Sequence, residues 1–415
     1  MPEYGAVLRF AASAALTLGL ACVPSAHAQL RWLERAEPPP LRIALLLPFS
    51  GSMPKVNRLA QDLWDAAQLA RQQSEAAHVT LLRFDTQARS EGSAAALKAA
   101  MGAGAHIVIG PLLSRSLYQL AQTWPAANHP PILALTNNRH LASENIWIFG
   151  HLPRQHLERL VAESVRRKRR NFAALLPRNY YGQYVESFLA GLIDKHQGYL
   201  LQVETYQRDP NAMPAAVRRI AAYDARHRAL ENERARRAAR QDDAGLKRLE
   251  RIETWGDVAY DAIILAETGQ PLKNLAALLP FYDVDMADIQ ILLPHFWHDP
   301  LLAREQPLRG AWYAGAPPEH WVQFAQDFEA AYGRAPQRLA SLAFDALLYI
   351  LHVAARDARA ARGQFAAGAL TAPRQFEGVD GRLRLTENGL NERLLAVLAL
   401  DKAGAQLVAP APRRF

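Results

Sequence analysis

The chain has 415 residues, half of them hydrophobic and 21 % charged, which is enough to bury one large core or two medium ones and too apolar for a disordered chain. Its net charge of +8 would permit an anionic surface or a nucleic acid as partner. The excess sits in two runs, 166–170 and 218–251, which lack aromatics spaced for base stacking, and the second is mixed with acids; nucleic acid is not expected.

The single cysteine, Cys22, lies in the N-terminal apolar segment, so disulfides, thiol chemistry and Cys-zinc sites are excluded from the folded part. Arg9 precedes that segment, residues 10–23, which is too short to span a bilayer and has the length of an export-signal core. Two processing sites compete. Ala26-His27-Ala28 is an A-x-A site that predicts a mature chain from Gln29, and it is the better match. Leu18-Gly19-Leu20-Ala21-Cys22 resembles a lipobox, which would acylate Cys22 and anchor the protein to the outer membrane. Either route leads to the periplasm. Residues 1–28 are thus a signal peptide and 29–40 a linker, stiffened by Pro38-Pro39-Pro40.

From residue 41 strands and helices alternate. Residues 43–48 are continuously apolar, as in a parallel strand covered on both faces. Residues 56–73 have helical spacing, 79–84 read as a strand, 93–101 as a helix, and 107–109 as a strand closed by Gly110-Pro111. A helix over 116–124 and strands over 132–135 and 146–149 complete a doubly wound unit. The alternation restarts with helix 156–168, strand 172–176, helix 182–197 and strand 201–205. After a long helical stretch come strands at 262–266, 289–293 and 310–314, helices over 319–332 and 339–360, and strands over 381–385 and 394–401. Residues 226–252, rich in Ala, Arg, Glu and Leu, exceed what a minimal lobe needs. They predict one long exposed helix or a helical hairpin broken near 242–245, with Glu233 and Arg237 at i,i+4 spacing. Such an insertion is either a solvated decoration or a docking surface.

The runs Ile43-Ala44-Leu45-Leu46-Leu47-Pro48-Phe49-Ser50-Gly51, Ile107-Val108-Ile109-Gly110-Pro111-Leu112-Leu113-Ser114, Asn179-Tyr180-Tyr181-Gly182 and Phe376-Glu377-Gly378-Val379-Asp380-Gly381 resemble the type I periplasmic binding proteins. The Gly110-Pro111-Leu112-Leu113 turn, Leu135-Thr136-Asn137-Asn138 and the charged insertion look most like the C-terminal domain of the penicillin-binding protein activators, outer-membrane lipoproteins that stimulate a peptidoglycan synthase. The resemblance implies a two-lobed α/β fold, each lobe a doubly wound parallel sheet, with chain crossings near 151–153, 315–318 and 376–378. Lobe 1 is then 41–150 plus 318–374. Lobe 2 is 151–317 plus 375–410 and carries the helical insertion 226–252.

Ligands of open α/β sheets sit beyond the carboxyl ends of the strands. That rule places Ser50, Ser52, Ser114, Thr136 and Asn137 on one rim of a cleft, and Tyr180, Tyr181, Glu267 and Trp297 on the other. Hydroxyls suit a carboxylate. Glu267 with a tyrosine suits an amine, the pairing by which amino-acid binders of this fold hold a zwitterion, carried here by position. His295, His298 and Asp299 are metal-ligand types with no further ligand to name, so neither metal nor cofactor is expected. The patterns G-x-S-x-G, H-E-x-x-H and G-x-x-x-x-G-K-S/T, and a G-x-G-x-x-G after a strand, are absent, and an enzyme is not expected. Two functions compete: a non-catalytic envelope protein that regulates a peptidoglycan synthase (a penicillin-binding protein), and a periplasmic solute-binding protein that feeds an amino acid or small amide to an ABC importer. The loop at 50–54, short of glycine and carrying Met53-Pro54, favours the first.

Overall fold

The computed structural model describes residues 40–415 except 75, 77 and 295–300. The expectations for the signal peptide, for Cys22 and for Trp297 concern residues outside these.

The first strand, β1 (Leu41–Leu47), has side chains that alternate between two cores: Ile43, Leu45 and Leu47 enter one, Ala44 and Leu46 the other. This is why its sequence is apolar throughout rather than every second residue. There follow α1 (Pro54–Gln73), β2 (Val79–Asp85), α2 (Ser90–Gly102), β3 (Ile107–Ile109), α3 (Ser114–Thr123), β4 (Ile132–Ala134) and β5 (Ile146–Ile148). The five strands pair in parallel in the order β2-β1-β3-β4-β5.

The plan repeats in α4 (Pro153–Arg166), β6 (Asn171–Pro177), α5 (Tyr180–Lys195), β7 (Tyr199–Tyr206), α6 (Met213–Ile220), α7 (Tyr223–Ala239), α8 (Asp243–Leu249), β8 (Ala262–Leu265), α9 (Gly269–Phe281), β9 (Gln290–Leu293) and β10 (Trp312–Gly315). These strands pair in parallel in the order β7-β6-β8-β9-β10, the topology of the first sheet over again. In β6, Ala173 and Leu175 face the core built by α6 and α9, while Phe172, Ala174 and Leu176 face α4 and α5. The chain then returns: α10 (Pro318–Tyr332) and α11 (Ser341–Ala354) pack Phe324, Phe328, Leu347 and Ile350 into the core under β1. After α12 (Ala367–Thr371), β11 (Phe376–Gly378), β12 (Gly381–Leu385) and β13 (Asn391–Leu394) make a small antiparallel sheet. Last, β14 (Ala396–Asp401) and β15 (Gly404–Ala409) extend the second sheet, antiparallel beside β10. The result is a two-lobed α/β fold, each lobe built on a doubly wound parallel sheet, with α7 and α8 inserted in the second.

The small sheet bears on where the lobes divide. Phe376, Val379, Leu383 and Leu385 belong to the core of lobe 1, and Leu390 bridges to Ile148 at the edge of the first sheet. Leu395 and Val397 belong to lobe 2. We therefore propose the third crossing at 394–396, in place of the 376–378 expected from the sequence. The insertion is a hairpin broken at 240–242, where Asp242 caps α8 by accepting from the Gly245 N–H at 2.8 Å. Leu230 and Leu249 are buried, and Arg226 pins the root by donating to the Gly256 and Asp283 carbonyls, each at 2.8 Å.

Candidate functional site

In each lobe the strand order reverses at one point, between β1 and β3 and between β6 and β8, and the loops leaving those strands form a crevice. In lobe 1 the loop after β1 is organised by Asp85 at the end of β2. Its carboxylate accepts from the Phe49, Ser50 and Gln87 N–H groups at 2.9, 3.2 and 2.8 Å, and from the Ser50 hydroxyl at 2.5 Å. Burial pulls this carboxyl upward, but the hydrogen bonds, led by the Ser50 hydroxyl, outweigh it and hold it below its ordinary value. Ser50 thus shapes the loop, while Ser52 is exposed. Gly51 has φ +119°, and a Cβ there would lie 2.6 Å from the Gln87 carbonyl, so no other residue fits. Ser114, opening α3, and Thr136, after β4, meet hydroxyl to hydroxyl at 2.6 Å, and Thr136 also accepts from the Asn138 N–H at 3.2 Å. Asn137 is exposed. Ser50, Gly51, Ser52, Gln87, Arg89 and Arg115 are among the residues lining an open cavity of about 580 Å³. Asp85 escaped the sequence reading because it ends an edge strand; the strand-end rule applied there finds it.

In lobe 2, Asn179 caps α5 by accepting from the Gly182 N–H at 3.0 Å. This leaves Tyr180 in solvent, 67 % exposed, while Tyr181 packs against the core. Glu267, just past β8, is 5 % exposed. Arg208, just past β7, grips both its oxygens, Nε to Oε1 at 2.8 Å and Nη2 to Oε2 at 3.0 Å, and the Thr268 N–H donates to it at 3.1 Å. Burial, then the Glu267 charge, raise the phenols of Tyr181 and Tyr206 well above their ordinary value, so both stay protonated beside the carboxylate. The charge that the sequence assigned to an amine is thus met by Arg208 of the same lobe, 59 positions away, and no local motif marks that partner. The rims approach where the His140 ring meets Tyr184 edge-on, with centroids 6.1 Å apart. Among the described residues, no group of three or more His, Cys, Asp or Glu could hold a metal, and no helix is long and apolar enough to cross a membrane.

The crossings carry a buried polar network that no motif announced. Asp380, 1 % exposed, accepts from the Ser341 hydroxyl at 2.8 Å, lies 3.1 Å from His151 Nε2, and pairs with Arg338 at 2.6 Å. Asp345, fully buried, accepts from the Val379 and Asp380 N–H groups at 2.8 and 3.1 Å. Arg393 donates to the Phe149 carbonyl at 3.1 Å, and His156 Nδ1 lies 2.8 Å from the Ala314 carbonyl oxygen. One network thus ties residues 149–156, 314 and 379–393, which lie at or beside the proposed crossings.

A family model described as periplasmic binding protein matches residues 40–405. An uncharacterised protein of Rickettsia prowazekii is 25 % identical over 188 residues, 45 % of this chain and 49 % of that protein, so the match spans about half of the relative's length. Among solved structures, a putative branched-chain amino acid ABC transporter protein from Rhodospirillum rubrum gives a TM-score of 0.67 at 14 % identity, covering 89 % of this chain and 100 % of that one. The C-domain of LpoA from Haemophilus influenzae, a regulator of PBP1A, gives 0.60 at 18 % identity over 89 % and 100 %. An ABC-transporter solute-binding protein from R. palustris, in complex with benzoate, gives 0.57 at 14 % identity over 90 % and 97 %. At these identities the structural likenesses show the fold alone. Two doubly wound lobes of equal strand order and a family model spanning nearly all the described residues lead to one assignment: the chain belongs to the periplasmic binding protein family.

Proposed function

We propose that this chain is a non-catalytic periplasmic protein that docks on a peptidoglycan synthase and regulates it. The observation that carries this reading is the hairpin α7–α8. It is exposed along most of its length, and Arg228, Arg240, Lys247, Arg248 and Arg251 stand on it without a partner among the described residues. Five free cations on a well-anchored arm suit an acidic surface on a partner protein. The likeness to the LpoA C-domain, a regulator of PBP1A, supports the choice of partner. The test is the dissociation constant for a purified bifunctional synthase, measured with the intact chain and with Arg228, Arg240, Lys247 and Arg248 reversed to Glu, at low and physiological salt. The expected result is weaker, less salt-sensitive binding by the variant; equal binding by both sinks the docking role. Mass spectrometry of the native N-terminus separates a mature chain from Gln29 from an acylated Cys22 that would anchor the protein to the outer membrane.

The solute-binding reading has support of its own in the open cavity beside Ser50 and Ser52 and in the Ser114–Thr136 pair. A solute there would meet Ser52, Ser114, Thr136 and Asn137 from lobe 1 and Tyr180 and Tyr181 from lobe 2. The Arg208–Glu267 pair weighs against an amine-bearing ligand, since the carboxylate is already neutralised. A thermal-shift screen of amino acids and small amides is expected to raise the melting temperature with none of them. A clear rise that Thr136→Ala abolishes would move the choice to an importer component.

A further inference from the structure

A second cavity, of about 510 Å³, lies beside the crossings, walled by the start of α4, by β13, by Tyr184 of α5 and by Pro412, Arg414 and Phe415. Five arginines line it against two glutamates, and both glutamates are engaged: Glu158 with Lys195, and Glu392 with Arg384 at 2.5 Å. Arg159 holds the Leu395 and Pro410 carbonyls at 2.9 and 3.0 Å. Arg139, Arg154 and Arg414 have no carboxylate partner among the described residues. Arg393 is 6 % exposed, and its Nε has no partner there either. The buried Tyr184 hydroxyl is likewise without one. The guanidinium groups of Arg139, Arg154 and Arg414, without a carboxylate among the described residues, raise the local potential of this concave space and draw an anion, and each offers paired donors to an oxyanion. Leu152, Leu395 and Phe415 give the same space apolar walls.

We propose that this cavity binds an oxyanion carried on an apolar body, with its charge taken by Arg139 and Arg154 and its body lying against Leu152 and Leu395. Arg139 follows β4 in lobe 1, and Arg154 lies in the first turn of α4, whose Leu157 and Leu160 are in the core of lobe 2. The ligand is therefore held from both lobes at once and links them. The site borders the place where the rims approach, at Tyr184, and stands independently of the docking role.

Calorimetric titration of the full chain tests it, with phenyl phosphate and phenylacetate as anionic probes and benzamide as the neutral body alone. At least one anion is expected to bind and benzamide is not; which anion binds tells a phosphate site from a carboxylate site. Arg139→Gln and Arg154→Gln, one in each lobe, should each weaken binding roughly tenfold to a hundredfold, the loss expected for a hydrogen bond to a charged group. Arg115→Gln, on the lobe 1 rim, should leave it unchanged. Circular dichroism melting without ligand identifies any variant that fails to fold, and the other then carries the test. No binding of either anion overturns the proposal. So does binding that survives the Arg139 and Arg154 changes, or that is lost on changing Arg115, which would place the anion in the cleft.

Discussion

Glu163 explains what the start of the basic run at 166–170 is for. It is 2 % exposed and receives Arg166 at 2.5 and 2.9 Å, Arg167 at 2.8 Å and Arg159 at 3.5 Å. Burial pushes its carboxyl up, but the Arg166 and Arg167 hydrogen bonds outweigh that and bring it to about 2, below its ordinary 4.5. A carboxyl depressed by folding stabilises the folded state above pH 4.5, and that contribution is lost as pH falls towards 2. Glu163→Gln is therefore expected to cost roughly 2 kcal/mol at neutral pH, after discounting the half-exposed arginines. The gap to the parent should close in acid, as read from thermal denaturation across pH. Arg208 gives a second test at this scale. Arg208→Ala strands the buried Glu267 charge and should cost roughly 2 kcal/mol or more, while adding Glu267→Gln should recover most of it. Chemical denaturation of the single and double variants decides; a double variant no more stable than the single one would mean the ion pair is not what holds this rim.

At the scale of elements, the insertion shows how far local pattern reaches. The Glu233–Arg237 spacing does form an ion pair, at 2.9 Å, and the break falls just before Asp242. The fastening of the hairpin lay outside any local pattern. Trp255 donates its N–H to the Arg226 carbonyl at 3.0 Å, and His227 Nδ1 lies 2.8 Å from the Glu253 carbonyl oxygen, so the root belongs to the lobe. Residues 228–251 are the removable part, because Leu230 and Leu249 leave together. Replacing them with a short Gly/Ser linker should leave thermal unfolding a single cooperative transition, shifted by only a few degrees, since exposed surface contributes little. A broad or split transition would mean the hairpin is part of the lobe 2 core.

Across the whole molecule the crossings are stitched by buried charge, which gives stability an acid-range signature. Burial, opposed by Asp380, lowers His151 to about 4, so the unfolded chain binds its proton more tightly between pH 4 and 6.5, and stability rises with pH over that window. Burial, then the Asp380 charge, raises Asp345 above its ordinary 3.8. Its folded form holds the proton more tightly, so its contribution is present in acid and falls as pH rises. The two trends oppose each other in the parent. Asp345→Asn removes the second, and the variant should gain stability from pH 4 to 6.5 more steeply than the parent, by up to roughly 3 kcal/mol. Urea denaturation at the two pH values measures the difference; parallel slopes would show that Asp345 does not titrate with the fold.

The sequence by itself determined the alternation of elements, the doubly wound character of both lobes and the strand ends that form the rims. These follow from local rules: a strand covered on both faces is apolar along its length, as 43–47 is, and a helix repeats its apolar face every third or fourth residue. It also placed Ser114 and Thr136, which do meet, because both leave neighbouring strands at the same edge. Tertiary structure decided what those residues are free to do. Ser50 answers to Asp85, Glu267 to Arg208, and His151 to Asp380 across 229 positions. It also decided that the small sheet packs on lobe 1, on which our proposed placing of the third crossing rests. Nothing in period or composition ranks one distant counter-charge above another. That choice is made by which side chains the two cores, once packed, leave facing each other in a space that excludes water.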